Sequence, residues 1–186
     1  MLTEPLSATT LLHGIRMEVM AASHADALAA GYRRNRTYLA PWEPLREESF
    51  YSSDGQKAVI EAKLLLFRAG TEVPWVLAAG ERIIGTVTLA GIVRGPFQSA
   101  NLGYWIDGEY AGRGIGTAAV AAVLEAARER LGLHRVQAAT LPHNVPSQRI
   151  LERLDFERIG LAPRYLRIAG QWQDHVLFQR ILQGPL

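Results

Sequence analysis

Gly112, Arg113, Gly114, Ile115 and Gly116 set three glycines around one cation and one aliphatic side chain. Glycine accepts positive φ and lets a ligand approach the main chain, so several N–H groups can converge on a single anion. Ahead of these residues lies a short aromatic and β-branched run, Leu102 to Ile106. Behind them Val120, Val123, Leu124, Ala127 and Leu131 recur at helical spacing, with Glu125, Arg128, Glu129 and Arg130 turned the other way. The order is therefore strand, glycine loop, helix. A helix that opens near Gly114 leaves its first amides unpaired and its dipole positive toward the loop, which suits a pyrophosphate.

Three readings compete at this point. The glycines can serve only a turn and close helix packing. Gly114, Gly116 and Ala119 also satisfy a GxGxxG/A dinucleotide spacing. The next strand pattern, Val136 to Thr140, runs into Leu141 and Pro142 without the acid that would hold a ribose. The third reading is an acyl-coenzyme A site with a pyrophosphate on the loop. A nucleoside-triphosphate loop is excluded, because no Lys-Ser/Thr pair follows.

The block GYWIDGEYAGRGIGTAA, followed by LPHNVPSQRILERLDF, resembles the GCN5-related N-acetyltransferases (GNAT), in the branch that acetylates ribosomal-protein N-termini. The family's Gln/Arg-x-x-Gly-x-Gly/Ala loop falls on Ala111, Gly114 and Gly116; the first position departs, and Arg113 keeps a cation beside the loop. The branch's Asn-x-x-Ser falls on Asn144 and Ser147, and its Gly-Tyr-Trp on Gly103, Tyr104 and Trp105. Weaker likeness extends from Tyr38, Leu39 and Trp42 to Gly170, Trp172, Asp174 and His175.

The resemblance implies a GNAT fold of the α/β (α+β) class: a mixed, mostly antiparallel sheet of about six or seven strands flanked by helices, splayed at the acetyl-CoA site. It implies acetyl-CoA as cosubstrate without a metal, and acyl transfer to an amine in a ternary complex. The donor would be held by Trp105, Ile106, Arg113, Gly114, Ile115, Gly116, Thr117, Asn144 and Ser147. The acceptor side would use Asn35, Tyr38, Trp42, Tyr104 and His175. Many members of the wider family carry a Tyr seven residues after the Asn; here Leu151 stands there and cannot donate a proton. The branch's Ser, matched by Ser147, is the expected donor to the departing thiolate, while its place at a helix start equally suits an N-cap.

The base is open. Ala100 and Asn101 stand where the branch often has Ala-Glu, leaving Asp107, Glu109, Asp174 and His175 as candidates. A protein α-amine with a pKa near 7.7 is roughly one-sixth neutral at pH 7, whereas lysine is under about one part in a thousand, so an α-amine can manage with a weak base. The expected acceptor is a protein N-terminus, with a small amine such as an aminoglycoside or polyamine, or a non-catalytic acyl-coenzyme A-binding role, as alternatives. Relatives suggest a homodimer.

At 186 residues, 48% hydrophobic and 20% charged, the chain reads as one globular domain over 1–186, with loose ends at 1–9 and 184–186. The net charge of +2 comes from scattered residues, so no dedicated nucleic-acid surface is indicated. Absence of cysteine removes disulfides, thiolate zinc sites and a cysteine nucleophile. His13, His24, His134 and His143 show no metal-ligand spacing. With no bilayer-length apolar run and no charged-then-apolar leader, the expected compartment is the cytoplasm.

Along the chain, a strand is expected around Leu11 to Met20, then a helix capped by Ser23 and a turn from Asn35 to Leu39 stopped by Pro41. A longer helix from Ser53 or Asp54 to Arg68 should turn Val59, Leu64, Leu65 and Phe67 inward. Trp75 to Ala79 and Ile83 to Leu89 flank Gly80 and Glu81 as a hairpin. Ala100 to Ile106 pairs next, and beyond the central helix come strand Val136 to Thr140 and helix Ser147 to Leu154. Phe156 to Ile168 and Gln173 to Ile181 close the fold.

Overall fold

A computed structural model describes residues 6–182. Eight strands form one sheet in the order β1-β2-β3-β4-β5-β6-β8-β7. They are β1 (Thr9–Thr10), β2 (Arg16–Val19), β3 (Glu72–Ala79), β4 (Arg82–Val93), β5 (Ser99–Ile106), β6 (Arg135–Thr140), β7 (Glu157–Ile168) and β8 (Gln171–Ile181). The helices are α1 (Ala25–Arg34), the single turn α2 (Arg36–Leu39), α3 (Ser53–Arg68), α4 (Ile115–Glu129) and α5 (Val145–Arg153). The lead-in expected over 1–9 lies partly outside the described residues, and Thr9 joins the first strand; the end expected over 184–186 lies wholly outside them.

β3 is buried along nearly all its length because both faces of the sheet are covered. Its alternate residues part company: Trp75 and Leu77 join Val120, Val123 and Ala127 of α4, while Val76 and Ala78 join Leu28 of α1 and Ile60 of α3. β5 divides in the same way, with Leu102 and Tyr104 toward α4 and Trp105 toward α1. The indole of Trp105 donates to the Tyr32 hydroxyl at 3.0 Å, anchoring the strand end from below.

β5 and β6 are the one parallel pair among the described residues. Their rungs run from Ser99 opposite Arg135 to Leu102 opposite Ala138 and then stop, although β5 continues to Ile106 and β6 to Thr140. The sheet therefore opens a slot in its middle, bordered by Gly103–Ile106. β7 is the outermost strand and largely exposed; its register with β8 slips between Arg158 and Gly160 and again between Ala162 and Leu166, around Pro163 and an Arg164 at φ 49°.

Several local expectations are corrected. The first strand is two short strands separated by a helical turn at Leu12–Gly14. Ser23 is not a cap: the His24 Nδ1 accepts the Ala21 N–H at 3.0 Å, and a short turn at Ala22–His24 runs into α1. α3 packs Leu64 and Phe67 half-buried against the core as expected and turns Gln56 and Ile60 fully inward, but leaves Leu65 62% exposed, because the run Leu64-Leu65-Leu66-Phe67 circles the helix and Ile60 sets the phase. Ser147 does not cap α5 either; Asn144 does, its Oδ1 accepting the Ser147 N–H at 3.2 Å.

Candidate active site

α4 begins where the glycine pattern placed it. Gly114 is the N-cap at φ 77°, a conformation costly to any residue with a Cβ, and Gly112 stands at φ 75°. The first helical bond runs from the Ala118 N–H to the Gly114 carbonyl, so the N–H groups of Ile115, Gly116 and Thr117 lie ahead of it and face outward. A Cβ on Gly116 would meet Ile150 Cδ1 at 2.9 Å, so its absence lets α5 close onto the start of α4.

These amides open into a cleft of about 560 Å³. Trp105 and Ile106 border it from β5, Gly112, Gly114, Ile115, Gly116 and Thr117 from the loop, and Asn144, Pro146 and Ser147 from the start of α5. Tyr38, Leu39 and Trp42 form the opposite wall, and Tyr104 lies at the floor with its hydroxyl 2.8 Å from Ser147 Oγ. The Trp42 ring sits 5.3 Å from that of His143, tying the wall to the loop after β6.

Of the donor- and acceptor-side residues singled out from sequence, three lie elsewhere. Arg113 lines a second hollow with His13, Gly80 and Tyr110, its guanidinium over the Tyr110 ring. Asn35 is buried and holds the backbone: its Nδ2 donates to the Gly31 carbonyl at 3.0 Å and its Oδ1 accepts the Gly108 N–H at 2.9 Å. His175 is buried in the last hairpin beside Tyr165, its Nδ1 3.0 Å from the Gln173 carbonyl, and does not border the cleft.

The carboxylates named as bases are engaged. Asp107 is 1% exposed, receives Arg34 Nε at 2.9 Å and the Glu109 N–H at 2.9 Å, and so latches the end of β5 to α1. Burial pushes its pKa up, but hydrogen bonds from Asn35, the Glu109 amide and Arg34, with the Arg34 charge, together hold it below the usual carboxylate value. Glu109 pairs with Arg82 at 2.8 Å, and Asp174 accepts the Arg164 N–H at 2.8 Å. Among the described residues no group of three or more His, Asp or Glu could hold a metal.

Residues not foreseen also border the cleft. Arg149 and Arg153 lie one turn apart on α5, with no acidic partner among the described residues. Outside the cleft lining, Glu43, next to Trp42 in the chain, has its pKa raised by burial, only partly countered by Arg46. A raised carboxyl pKa means that the folded chain binds the proton more tightly than the unfolded one, so its ionisation lowers stability as pH rises through that window. Glu43→Gln is expected to raise the thermal midpoint at pH 8, with the gain fading toward about pH 4, where both states hold the proton. Melting curves across that range check it; a difference that does not change with pH would contradict it.

The residues present suit a coenzyme A thioester: unpaired amides at a helix start for a diphosphate, an open strand edge for an extended arm, and flanking arginines for phosphate charge. The Oγ1 of Thr140, buried at the end of β6, has no hydrogen-bond partner and lies on the other flank of the same opening.

Comparisons with known proteins agree. Residues 15–157 match the model of the acetyltransferase (GNAT) domain. The chain is 36% identical over 166 residues to the ribosomal protein uS5-alanine N-acetyltransferase of Escherichia coli, covering 87% of this chain and 86% of that protein. The crystal structure of ribosomal-protein-S5-alanine acetyltransferase from Vibrio fischeri superposes with a TM-score of 0.91 at 34% identity, over 95% of this chain and 97% of that one. Mycobacterium smegmatis RimJ in complex with CoA-disulfide gives a TM-score of 0.88 at 27% identity, over 94% and 86%. With its glycine-started helix, its opened sheet and this breadth of likeness, the chain belongs to the GNAT acetyltransferase family.

Proposed function

We propose that this acetyl-CoA-dependent N-acetyltransferase acts on the α-amine of a protein N-terminus, that of a ribosomal protein such as the uS5 on which its relative acts. One observation carries the reading: the start of α4, the open strand ends and the aromatic wall of Tyr38 and Trp42 meet in a single cleft. Bound there, acetyl-CoA supplies an acetyl thioester as the activated acyl group. The amides of Ile115, Gly116 and Thr117 hold its diphosphate, and the backbone at Trp105 and Ile106 orients its arm. Tyr38 and Trp42 position the incoming amine, and Ser147 gives a hydrogen to the leaving sulfur. An α-amine is partly neutral at physiological pH and makes light demands on a base, in keeping with carboxylates that are already engaged.

A homodimer, a single domain spanning the chain and a cytoplasmic setting accompany this proposal; a sizing measurement tests the first. No described helix is long and apolar enough to cross a membrane. The acceptor is tested by thiol release from acetyl-CoA with a panel of peptides and small amines. Release that depends on a peptide with a free N-terminus supports the reading, while release only with aminoglycosides or polyamines, or binding without release, overturns it.

Arg149→Ala/Arg153→Ala is expected to raise the KM for acetyl-CoA by about tenfold at low salt, since two exposed charge contacts contribute roughly 0.5–1 kcal/mol each. The difference should shrink at high salt as the charges are screened. Initial rates at two ionic strengths check it, with kcat expected to stay within about twofold.

A further inference from the structure

We propose that Tyr104 is a positioning residue for the proton donor: its phenol donates to Ser147 Oγ and thereby turns the serine's own hydrogen toward the cleft. The inference rests on the acetyl transfer proposed above and adds to it a role for a hydroxyl that sequence had placed with the acceptor.

Three features of the structure lead to it. First, Asn144 rather than Ser147 caps α5, so the Ser147 hydroxyl is not committed to the helix amides. Second, Tyr104 lies two residues past Leu102, the last residue of β5 that pairs with β6, and its side chain is on the α4 side of the sheet. Its hydroxyl is 2.8 Å from Ser147 Oγ and 3.3 Å from the Ser147 carbonyl. Third, Tyr104 and Ser147 both border the cleft.

Each hydroxyl has one hydrogen, so two arrangements compete. In one, the phenol donates to Ser147 Oγ, and the serine hydrogen is free for a group in the cleft. In the other, serine donates to the phenol, whose hydrogen then goes to the Ser147 carbonyl or into the cleft. The 2.8 Å Oγ contact is common to both, and the 3.3 Å separation is long for an O–H···O bond, whose usual length is about 2.7–2.8 Å, so the carbonyl adds little to the second. The first arrangement is the one that leaves the serine hydrogen for the leaving sulfur.

Tyr104 does not itself supply the proton. Burial pushes its pKa up to about 12, against the hydrogen bond to Ser147 that lowers it, so the phenol keeps its hydrogen throughout the working range. Its hydrogen is engaged on Ser147 Oγ at 2.8 Å, which leaves the serine's hydrogen as the one turned to the cleft. In the reaction the amine nitrogen bonds to the acetyl carbon, the C–S bond breaks and its electron pair leaves with sulfur. Ser147 passes its hydrogen to sulfur as the proton shed by the nitrogen reaches the serine oxygen through solvent, so the serine relays a proton and no free alkoxide forms. Tyr104 ends the cycle as it began, having held the serine in one orientation.

Tyr104→Phe removes one oxygen and keeps the ring. With the full chain, acetyl-CoA and the best acceptor peptide, it should lower kcat by about tenfold, the worth of one lost hydrogen bond, and leave the KM for acetyl-CoA within about twofold. Because Tyr104 acts through Ser147, the Tyr104→Phe/Ser147→Ala double variant should be no slower than Ser147→Ala alone. A merely structural role predicts instead that the two losses multiply. An unchanged kcat in Tyr104→Phe, or multiplying losses, overturns the inference while leaving the proposed function standing. A wild-type chain that releases no thiol with any acceptor overturns that function and this inference together. Thermal unfolding of each variant, measured alongside, shows that a lost rate is not lost fold.

Discussion

Asp107→Asn is expected to destabilise the protein by about 3 kcal/mol at neutral pH, the lower end of what breaking a buried ion pair costs. The carboxylate is 1% exposed, but Arg34 is 27% exposed, so water relieves part of the charge left behind. For a chain of this size the loss lowers the melting midpoint by roughly 6–12 °C. The pH dependence has a definite sign. Because the folded state holds Asp107 below its ordinary pKa, its stabilisation is complete above the unfolded value, near 3.9, and is lost as pH falls through the folded value. The gap between wild type and variant should therefore be constant from pH 5 to 8 and narrow only in stronger acid. Chemical denaturation at several pH values checks this, and a gap that widens below about pH 4 would contradict it.

The same substitution should reach the donor site. Asp107 stands directly after β5 and caps the turn Gly108–Tyr110 that leads into the glycine loop, while Asn35 takes the next amide. Loosening either contact frees the segment whose shape aims the α4 amides. The KM for acetyl-CoA should rise in Asp107→Asn even at temperatures where the variant stays folded.

Ser147→Ala is expected to lower kcat by about a hundredfold, the lower end of the roughly 10²–10⁴-fold that one positioned proton-transferring group contributes. Since Asn144 provides the cap, stability should fall by less than a cap's worth, about 1 kcal/mol. Asn144→Ala supplies the contrast, with the cap's stability lost. Thiol release and melting of both variants separate the two roles that the sequence left together. A Ser147→Ala enzyme with wild-type kcat would remove the serine from the chemistry.

How much was legible depended on what each residue type demands of its surroundings. Gly112 and Gly114 announced the loop because few other residues tolerate its backbone, Gly116 because a side chain there would meet Ile150, and the apolar spacing from Val120 to Leu131 announced the helix behind it. The slot between β5 and β6 followed from their order and from the resemblance. On α3, Leu64 and Phe67 pack inward as expected but Leu65 does not, because four consecutive apolar residues carry no phase; Ile60 and Gln56, which set it, are unremarkable in sequence.

Polar residues were harder to read. Asn35 looked like a ligand-facing amide but is spent inside the fold, on the Gly31 carbonyl, the Gly108 amide and the Asp107 carboxylate. Arg149 and Arg153 look like any solvated helix face until α5 is docked against Gly116, which turns them to the cleft. Glu43 could not be recognised at all, since its shifted titration arises from packing around a proline-flanked loop.

The slipped outer ladder has a consequence for how the molecule meets its neighbours in a crowded solution. A sheet rim of twelve residues bearing Ile159, Leu161, Tyr165 and Leu166 would ordinarily invite another chain to zip onto it. Pro163 withholds a donor in mid-strand, and the two slips leave no long straight row of free amides and carbonyls for a visitor to match. Fibril growth from that rim is interrupted within a few residues, and straightening the strand by replacing Pro163 would remove the safeguard.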